Sequence, residues 1–279
     1  MLSLKNILSE INIHINEDET QDELKRILKK DYESFVRDLG NNITDPKFLS
    51  AIKSLSSSAP VRTTNIAPPV DKLKPTQKEV VMDKSLSYPL KDPTICEVFL
   101  KGGVVTVNKR PIVTGSGGKF IIDGHHRWSQ LYCINPEAKI KALDLTDIRN
   151  PFEALKATQI GIGAELGEIP TAEGGGVNLF TVTEDVLKKY ITDRIQDRVV
   201  DVFKKYNKGG TPEEIASYIW GNVQRMQKEN EPVANAPERQ LMPQTDDAPN
   251  WKDKATNTEK LPESIGMKLK DVLAYKKIK

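Results

Sequence analysis

Only two cysteines, Cys96 and Cys133, and three histidines occur in 279 residues. Two thiols build no disulfide framework and lack the ligand spacing of a zinc site, which suits a reducing compartment. No apolar run approaches membrane-spanning length. The first fifteen residues carry Lys5, Glu10 and His14 among their apolar positions. They lack the basic start, apolar middle and small-residue cleavage site of a signal peptide. The expectation is a cytoplasmic protein with no membrane partner. Charge of one sign is also scarce. A net charge of +2 argues against a globally basic nucleic-acid coat, while leaving room for a local basic patch.

What is present fits one sizeable domain or two small ones with polar appendages. Leu4, Ile7, Leu8, Ile11 and Ile15 follow helical spacing. Thr20-Gln21-Asp22-Glu23 reads as a capping box opening a helix that runs through Leu24, Ile27, Leu28 and Phe35 towards Gly40-Asn41. Asp45-Pro46 starts another short helix. The helical segment spans 1–55, and a Ser- and Pro-rich linker spans 56–69.

The central domain is placed at 70–160. Asp92-Pro93 opens a helix ended by Gly102-Gly103. Apolar runs at Val104–Val107 and Ile112-Val113 precede the turn Gly115-Ser116-Gly117-Gly118 and a strand to Ile122. A helix follows Gly124, and Ile140–Leu145 alternates like a strand. This order predicts a small α/β (α+β) domain with a mixed sheet. Gly161–Gly176 looks too irregular for a packed element and reads as a loop or lid. Thr183 caps one long helix with a stripe from Val186 to Phe203, ended by Gly209-Gly210. Thr211-Pro212-Glu213-Glu214 caps the next. The two form a hairpin, so 161–227 is read as loop plus helical hairpin. Residues 228–262 are polar and Pro-rich, expected to be disordered or draped over a surface. Residues 263–279 regain an amphipathic pattern with several lysines. The terminal helices either dock on the protein itself or engage an assembly partner.

The stretch that organises the chain is Phe120-Ile121-Ile122-Asp123-Gly124-His125-His126-Arg127-Trp128. A buried strand stopping at a glycine and turning into a helix exposes unpartnered backbone N–H groups, a natural anion site. Arg127, in the first helical turn, can fork onto a phosphate. Two of the three histidines crowd the same corner. A protonated histidine there would stabilise charge on a transferred phosphoryl group. Asp123 or Glu79 would hold Mg²⁺ or act as base; the alternative for Asp123 is a helix cap or turn residue. Lys74 and Lys119 are phosphate contacts or solvated surface. Trp128 belongs to the core or a pocket wall. Gly115–Lys119 lacks the Walker spacing and reads as a hairpin turn.

The segment from Asn65 to Ile148 resembles the ParB/sulfiredoxin-like superfamily, in its ParB-like nuclease-domain branch. The resemblance rests on Leu73-Lys74-Pro75-Thr76-Gln77, similar to the family's Pro-x-Gln box, on Pro111-Ile112-Val113, and above all on Ile122-Asp123-Gly124-His125-His126-Arg127, similar to its Gly-x-x-Arg phosphate-binding turn. It implies a nucleotide-binding site made of Lys74, Gln77, Gly124, His125, His126 and Arg127. Asp123, His125, His126 and Glu79 are its catalytic candidates, with ATP or another nucleotide and Mg²⁺ as cofactors. Relatives transfer phosphate, bind CTP, phosphorylate free serine or act as nucleases, so the resemblance implies a ligand class more than a reaction. His125 stands where sulfiredoxins carry their essential cysteine, which argues against that activity. The chain lacks a convincing helix-turn-helix after the domain, which argues against chromosome partition. Three readings follow: an enzyme of phosphoryl transfer or phosphodiester hydrolysis, a structural or packaging protein (of a phage virion or an infected host cell, for example) with an inactive domain, and a DNA-binding regulator.

Overall fold

The computed structural model describes residues 19–57, 63–145, 148–172 and 174–244. The expected helices over Leu4–Ile15 and 263–279, and the linker beyond 244, lie outside the described residues. The chain divides into two compact units. Among the described residues, no helix is long and apolar enough to cross a membrane.

The first unit is helical. It holds α1 (19–28), α2 (Tyr32–Asn42), α3 (Pro46–Ser57) and the body of α7 (Pro151–Leu166). The sequence suggested one helix from Thr20 to Gly40. Instead the chain breaks after residue 28, and Asp31 caps α2 by accepting the Ser34 N–H at 2.9 Å. Thr20 lies within α1 and not ahead of it, and the Glu23 carboxylate pairs with Arg26. A second correction concerns Gly161–Gly176. Its first part is not a loop: α7 runs through Gly161 and Gly163 to Leu166, buried without interruption from Ala154 to Ala164. Glycine at 163 meets a packing demand, because a Cβ there would lie 2.6 Å from Ile43 Cδ1 and 2.9 Å from Ile169 Cδ1. Glycine content alone suggested irregularity, but close approach explains it better.

The second unit, drawn from residues 63–151 and 172–242, is α+β. Its mixed sheet runs β1 (Thr63–Ile66), β7 (Ala142–Leu145), β4 (Ile112–Gly115), β5 (Phe120–Asp123), β2 (Lys74–Pro75). The outer pair β1/β7 is antiparallel, β7/β4 parallel, β4/β5 antiparallel and β5/β2 parallel. β1 falls inside the expected linker: Thr63–Ile66 forms an edge strand because β7 offers it a full register from Leu145 to Ala142. A second pair, β3 (Val104–Val105) with β6 (Lys139–Ile140), is parallel.

The hairpin expected at Gly115–Gly118 joins β4 to β5. Asp144, on β7 and 2 % exposed, caps it by accepting from Gly117 N–H at 3.1 Å, Gly118 N–H at 2.9 Å and Thr114 Oγ1 at 3.0 Å. α4 (Met82–Leu86) and α5 (Pro93–Lys101) precede the hairpin, and α6 (His125–Ile134) follows it. Asp92 caps α5 as expected, accepting from Thr94 and Ile95 N–H.

The single helix expected after Thr183 is two, α8 (Glu184–Thr192) and α9 (Asp197–Lys205). The Gln196 N–H goes to Leu90 O at 3.1 Å instead of up its own helix. α8 packs on α10 (Pro212–Glu229), while α9 packs on α5, two directions one straight rod could not serve. The cap at Thr211 holds: its side chain accepts the Glu214 N–H. α6 is the hub. Trp128 and Tyr132 are fully buried; the Trp128 indole donates to Val70 O at 2.8 Å and the Tyr132 hydroxyl to Asn230 Oδ1 at 2.8 Å. Trp128 is therefore a core residue. These anchors fix the rotation of α6, and with it the direction in which its first turn looks.

Candidate functional site

β5 ends at Asp123 and α6 starts at His125, so the whole change of direction falls on Gly124, at φ 90° and ψ 27°. A side chain there would be strained by its backbone alone, and its Cβ would lie 2.6 Å from Ile112 Cγ2. Behind the turn, Arg127 folds back. Its Nη1 donates to Pro111 O and its Nη2 to Asp123 Oδ2, both at 2.5 Å. Asp123 is thus neither the helix cap nor an open base. Its carboxylate forms an ion pair with Arg127, and the pair clamps strand end, glycine and helix start together.

The two histidines turn to the segment 76–82, which enters from β2. His125 is 4 % exposed, and its Nε2 accepts the Thr76 N–H at 3.1 Å. The Thr76 hydroxyl donates elsewhere, to Ile121 O at 2.6 Å. His126 Nε2 accepts the Val81 N–H at 3.2 Å, and Arg239 Nη1 approaches the same nitrogen at 3.2 Å. A guanidinium and an amide only donate, so His126 carries its proton on Nδ1. Burial pushes both imidazoles down to about 3; for His125 the neighbouring His126, Arg239 and Arg127 add to this, and for His126 Arg239 and Lys84 do. The sequence suggested a protonated histidine beside a phosphoryl group. The structure holds two neutral ones, because their environment is desolvated and already positive.

A pH dependence follows, with its sign fixed by that depression. The folded pKa values lie below the ordinary 6.5, so the unfolded chain binds these protons first. The histidines' contribution is complete above about pH 6.5 and is lost as pH falls towards 3. Urea titrations between pH 7.5 and 5.5, above the carboxylate range, should show stability falling by up to about 1.4 kcal/mol per pH unit for each histidine. A flat profile would contradict the buried neutral pair.

Two further elements pin the 76–82 segment. Asn178 accepts the Val80 N–H and donates to Lys78 O, Val177 O accepts the Met82 N–H, and Leu179 N–H donates to Val80 O. From the other side comes residues 230–242, here called the strap: Val233 N–H donates to Pro75 O and Lys78 N–H to Pro237 O, each at 3.0 Å. The sequence read this stretch as disordered or draped, and over the described residues it is draped.

Of the expected site residues, Asp123, Gly124, His125, His126 and Arg127 meet at one corner. Gln77 is buried near them, but its amide donates to Glu79 O within its own loop. Glu79 is half-buried two residues before Val81. Lys74 and Lys119 are exposed neighbours on β2 and beside β5, joined through backbone by Lys74 N–H to Lys119 O at 2.9 Å. Among the described residues, no three His, Cys, Asp or Glu side chains gather where they could hold a metal ion. The Asp123 carboxylate, expected as the Mg²⁺ ligand, is engaged by Arg127. Sequence reasoning missed Thr76, Asn178 and Arg239. Thr76 stood inside the Leu73–Gln77 box without being assigned a role, and Asn178 and Arg239 carry no local signal, since they reach the turn only through tertiary folding.

The N–H groups of His125, His126 and Arg127 lie in the first turn of α6, where a helix supplies them no acceptor of its own. With Arg239 and Lys84 near His126, beside the Asp123-paired Arg127, the arrangement can attract an anion and offer it backbone donors. A groove of about 420 Å³ near Tyr88, Lys91 and Arg198 shares no residue with this corner. No protein-family model matches the chain, and no curated protein or solved structure matches it.

Proposed function

We propose that the second unit is a ParB-like nucleotide-binding domain whose phosphate site is the N-terminus of α6. The observation that supports this most is the turn itself: a glycine at φ 90° delivers three successive helix-start N–H groups to a corner rich in cations. In this reading the backbone of His125, His126 and Arg127 binds phosphate, while the Arg127 side chain holds the turn in shape. The reaction is phosphoryl transfer or phosphodiester hydrolysis, and Glu79 is the carboxylate left to act as base, since Asp123 is bound to Arg127.

A second reading, a structural or packaging protein that binds but does not react, is favoured by one observation. Both histidines use Nε2 to accept backbone N–H groups and are neutral, so neither offers an acid to a leaving group. Calorimetry with ATP, ADP and CTP, followed by phosphorus NMR of the same samples, separates the two. The enzymatic reading expects binding and product, with product formation by Glu79→Gln at least about 100-fold slower and its binding unchanged. Binding without product, in samples that also contain a hydroxyl acceptor such as serine and, separately, an oligonucleotide as phosphodiester, selects the structural reading. No binding of any nucleotide by folded protein refutes both.

A further inference from the structure

The groove near Tyr88 is built by three pieces of the second unit: the turn after α4, the start of α5 and the junction of α8 with α9. Backbone bonds fix its shape. The Tyr88 carbonyl accepts the N–H groups of Lys91 and Asp92 at 3.1 and 3.0 Å, and the Leu90 carbonyl takes the Gln196 N–H. Leu86 and Leu90, on the same stretch, are fully buried and anchor it in the core. A volume of about 420 Å³ falls in the range of small-molecule sites.

Its lining is rich in donors and has one acid. Arg198 Nε donates to Gln196 Oε1 at 3.0 Å, which leaves the Nη1–Nη2 edge of the guanidinium for a ligand. Among the described residues, the Lys91 ammonium has no partner, nor do the hydroxyls of Ser87 and Thr94. Asp92 caps α5 through Oδ1, which accepts the Thr94 and Ile95 N–H groups at 2.8 and 3.1 Å, so Oδ2 is left to face the groove's contents. Tyr88, 58 % exposed, is the one exposed aromatic ring among the described residues. These groups divide a ligand into parts. An anion belongs on Lys91 and Arg198, where the guanidinium edge can fork onto phosphate. Asp92 repels that anion and only accepts, so hydroxyl groups belong beside it. The Tyr88 ring offers a flat apolar face to the C–H face of a sugar. A bare anion would use neither Asp92 nor Tyr88, and an uncharged sugar would leave both cations idle.

We propose that this groove binds a phosphorylated sugar, with its phosphate on Lys91 and Arg198, its hydroxyls on Asp92, Ser87 and Thr94, and its ring against Tyr88. The site shares no residue with the α6 corner and does not depend on that corner binding a nucleotide. The same chemistry has two sources, a free sugar phosphate and the sugar phosphate of a nucleotide.

The test titrates the isotope-labelled full chain separately with glucose 6-phosphate, AMP, glucose and inorganic phosphate, and follows backbone amides. Glucose 6-phosphate or AMP should shift Ser87–Asp92, Gln196 and Arg198 saturably, at least about 10-fold more tightly than glucose or inorganic phosphate does. The tighter of the two names the source. Shifts at Gly124–Arg127 in the AMP arm belong to the other site and are read apart. Arg198→Gln should weaken the better ligand about 10-fold and Tyr88→Ala about 3- to 10-fold, while Tyr88→Phe, which keeps the ring, should stay within about 3-fold of wild type. Both side chains are exposed, so Tm should hold in all three variants. Inorganic phosphate binding as tightly as either sugar phosphate would leave an anion contact only and overturn the inference. Full-strength binding by Arg198→Gln or by Tyr88→Ala would overturn it too, as would the absence of groove shifts at about 10 mM of every probe.

Discussion

Asp144→Ala should unfold or severely destabilise the second unit, by about 3–5 kcal/mol. The side chain is 2 % exposed and accepts two backbone N–H groups of the β4–β5 turn and the Thr114 hydroxyl. Alanine leaves these donors buried without an acceptor, and each such loss costs about 1–3 kcal/mol. The turn they belong to sets the β4/β5 register that ends at Asp123. Damage should therefore reach the α6 corner. Asp144→Asn keeps one acceptor oxygen and should fall between wild type and alanine. Thermal unfolding of the three proteins checks the order, and a loss below about 1 kcal/mol for alanine would show that the turn does not depend on this carboxylate.

The second large effect is expected at Gly124. Gly124→Ala forces a side chain to φ 90° and places a Cβ 2.6 Å from Ile112 Cγ2 and 3.0 Å from Arg127 Nη2. Left-handed strain and overpacking together should cost about 2–4 kcal/mol. The backbone that relieves the clash also carries the N–H groups proposed to bind phosphate, so on that proposal nucleotide binding should fall with stability. Ile112→Leu removes the offending methyl and should recover part of the loss, leaving the backbone strain. Denaturant midpoints of the two single variants and the double variant measure this coupling. Strict additivity would mean that the contact between residues 112 and 124 does not constrain the turn.

The local features of this fold were legible in the sequence. The strand ending at Asp123, the glycine turn, the caps at Asp92 and Thr211 and the hairpin at Gly115–Gly118 all depend on neighbours a few residues away, and each is present. Features decided by distant partners were not. Gly163 looked like a loop residue because its packing against Ile43 and Ile169 cannot be seen locally. The helix after Thr183 looked continuous because its periodicity carries no record of Leu90, which captures the Gln196 N–H.

At the site the same division holds. The cluster Asp123–Arg127 could be read as a string, but its inner arrangement could not. Arg127 as a free phosphate fork and Asp123 as an open base were natural expectations for side chains four apart on a helix start. At that spacing they satisfy each other. Histidine beside a turn suggested charge, yet burial beside three cations makes both imidazoles neutral. Arg239 lay 112 positions beyond Arg127 in a Pro-rich stretch, where sequence offers no reason to look.

The central claim is that phosphate binds at the start of α6, and backbone amide spectra of the isotope-labelled chain titrated with ATP test it most directly. The account predicts that the largest shifts fall on the amides of Gly124, His125, His126 and Arg127, with smaller ones along Thr76–Val81. Saturable shifts confined to the groove near Tyr88, Lys91 and Arg198, or no shifts at millimolar ATP, would contradict it.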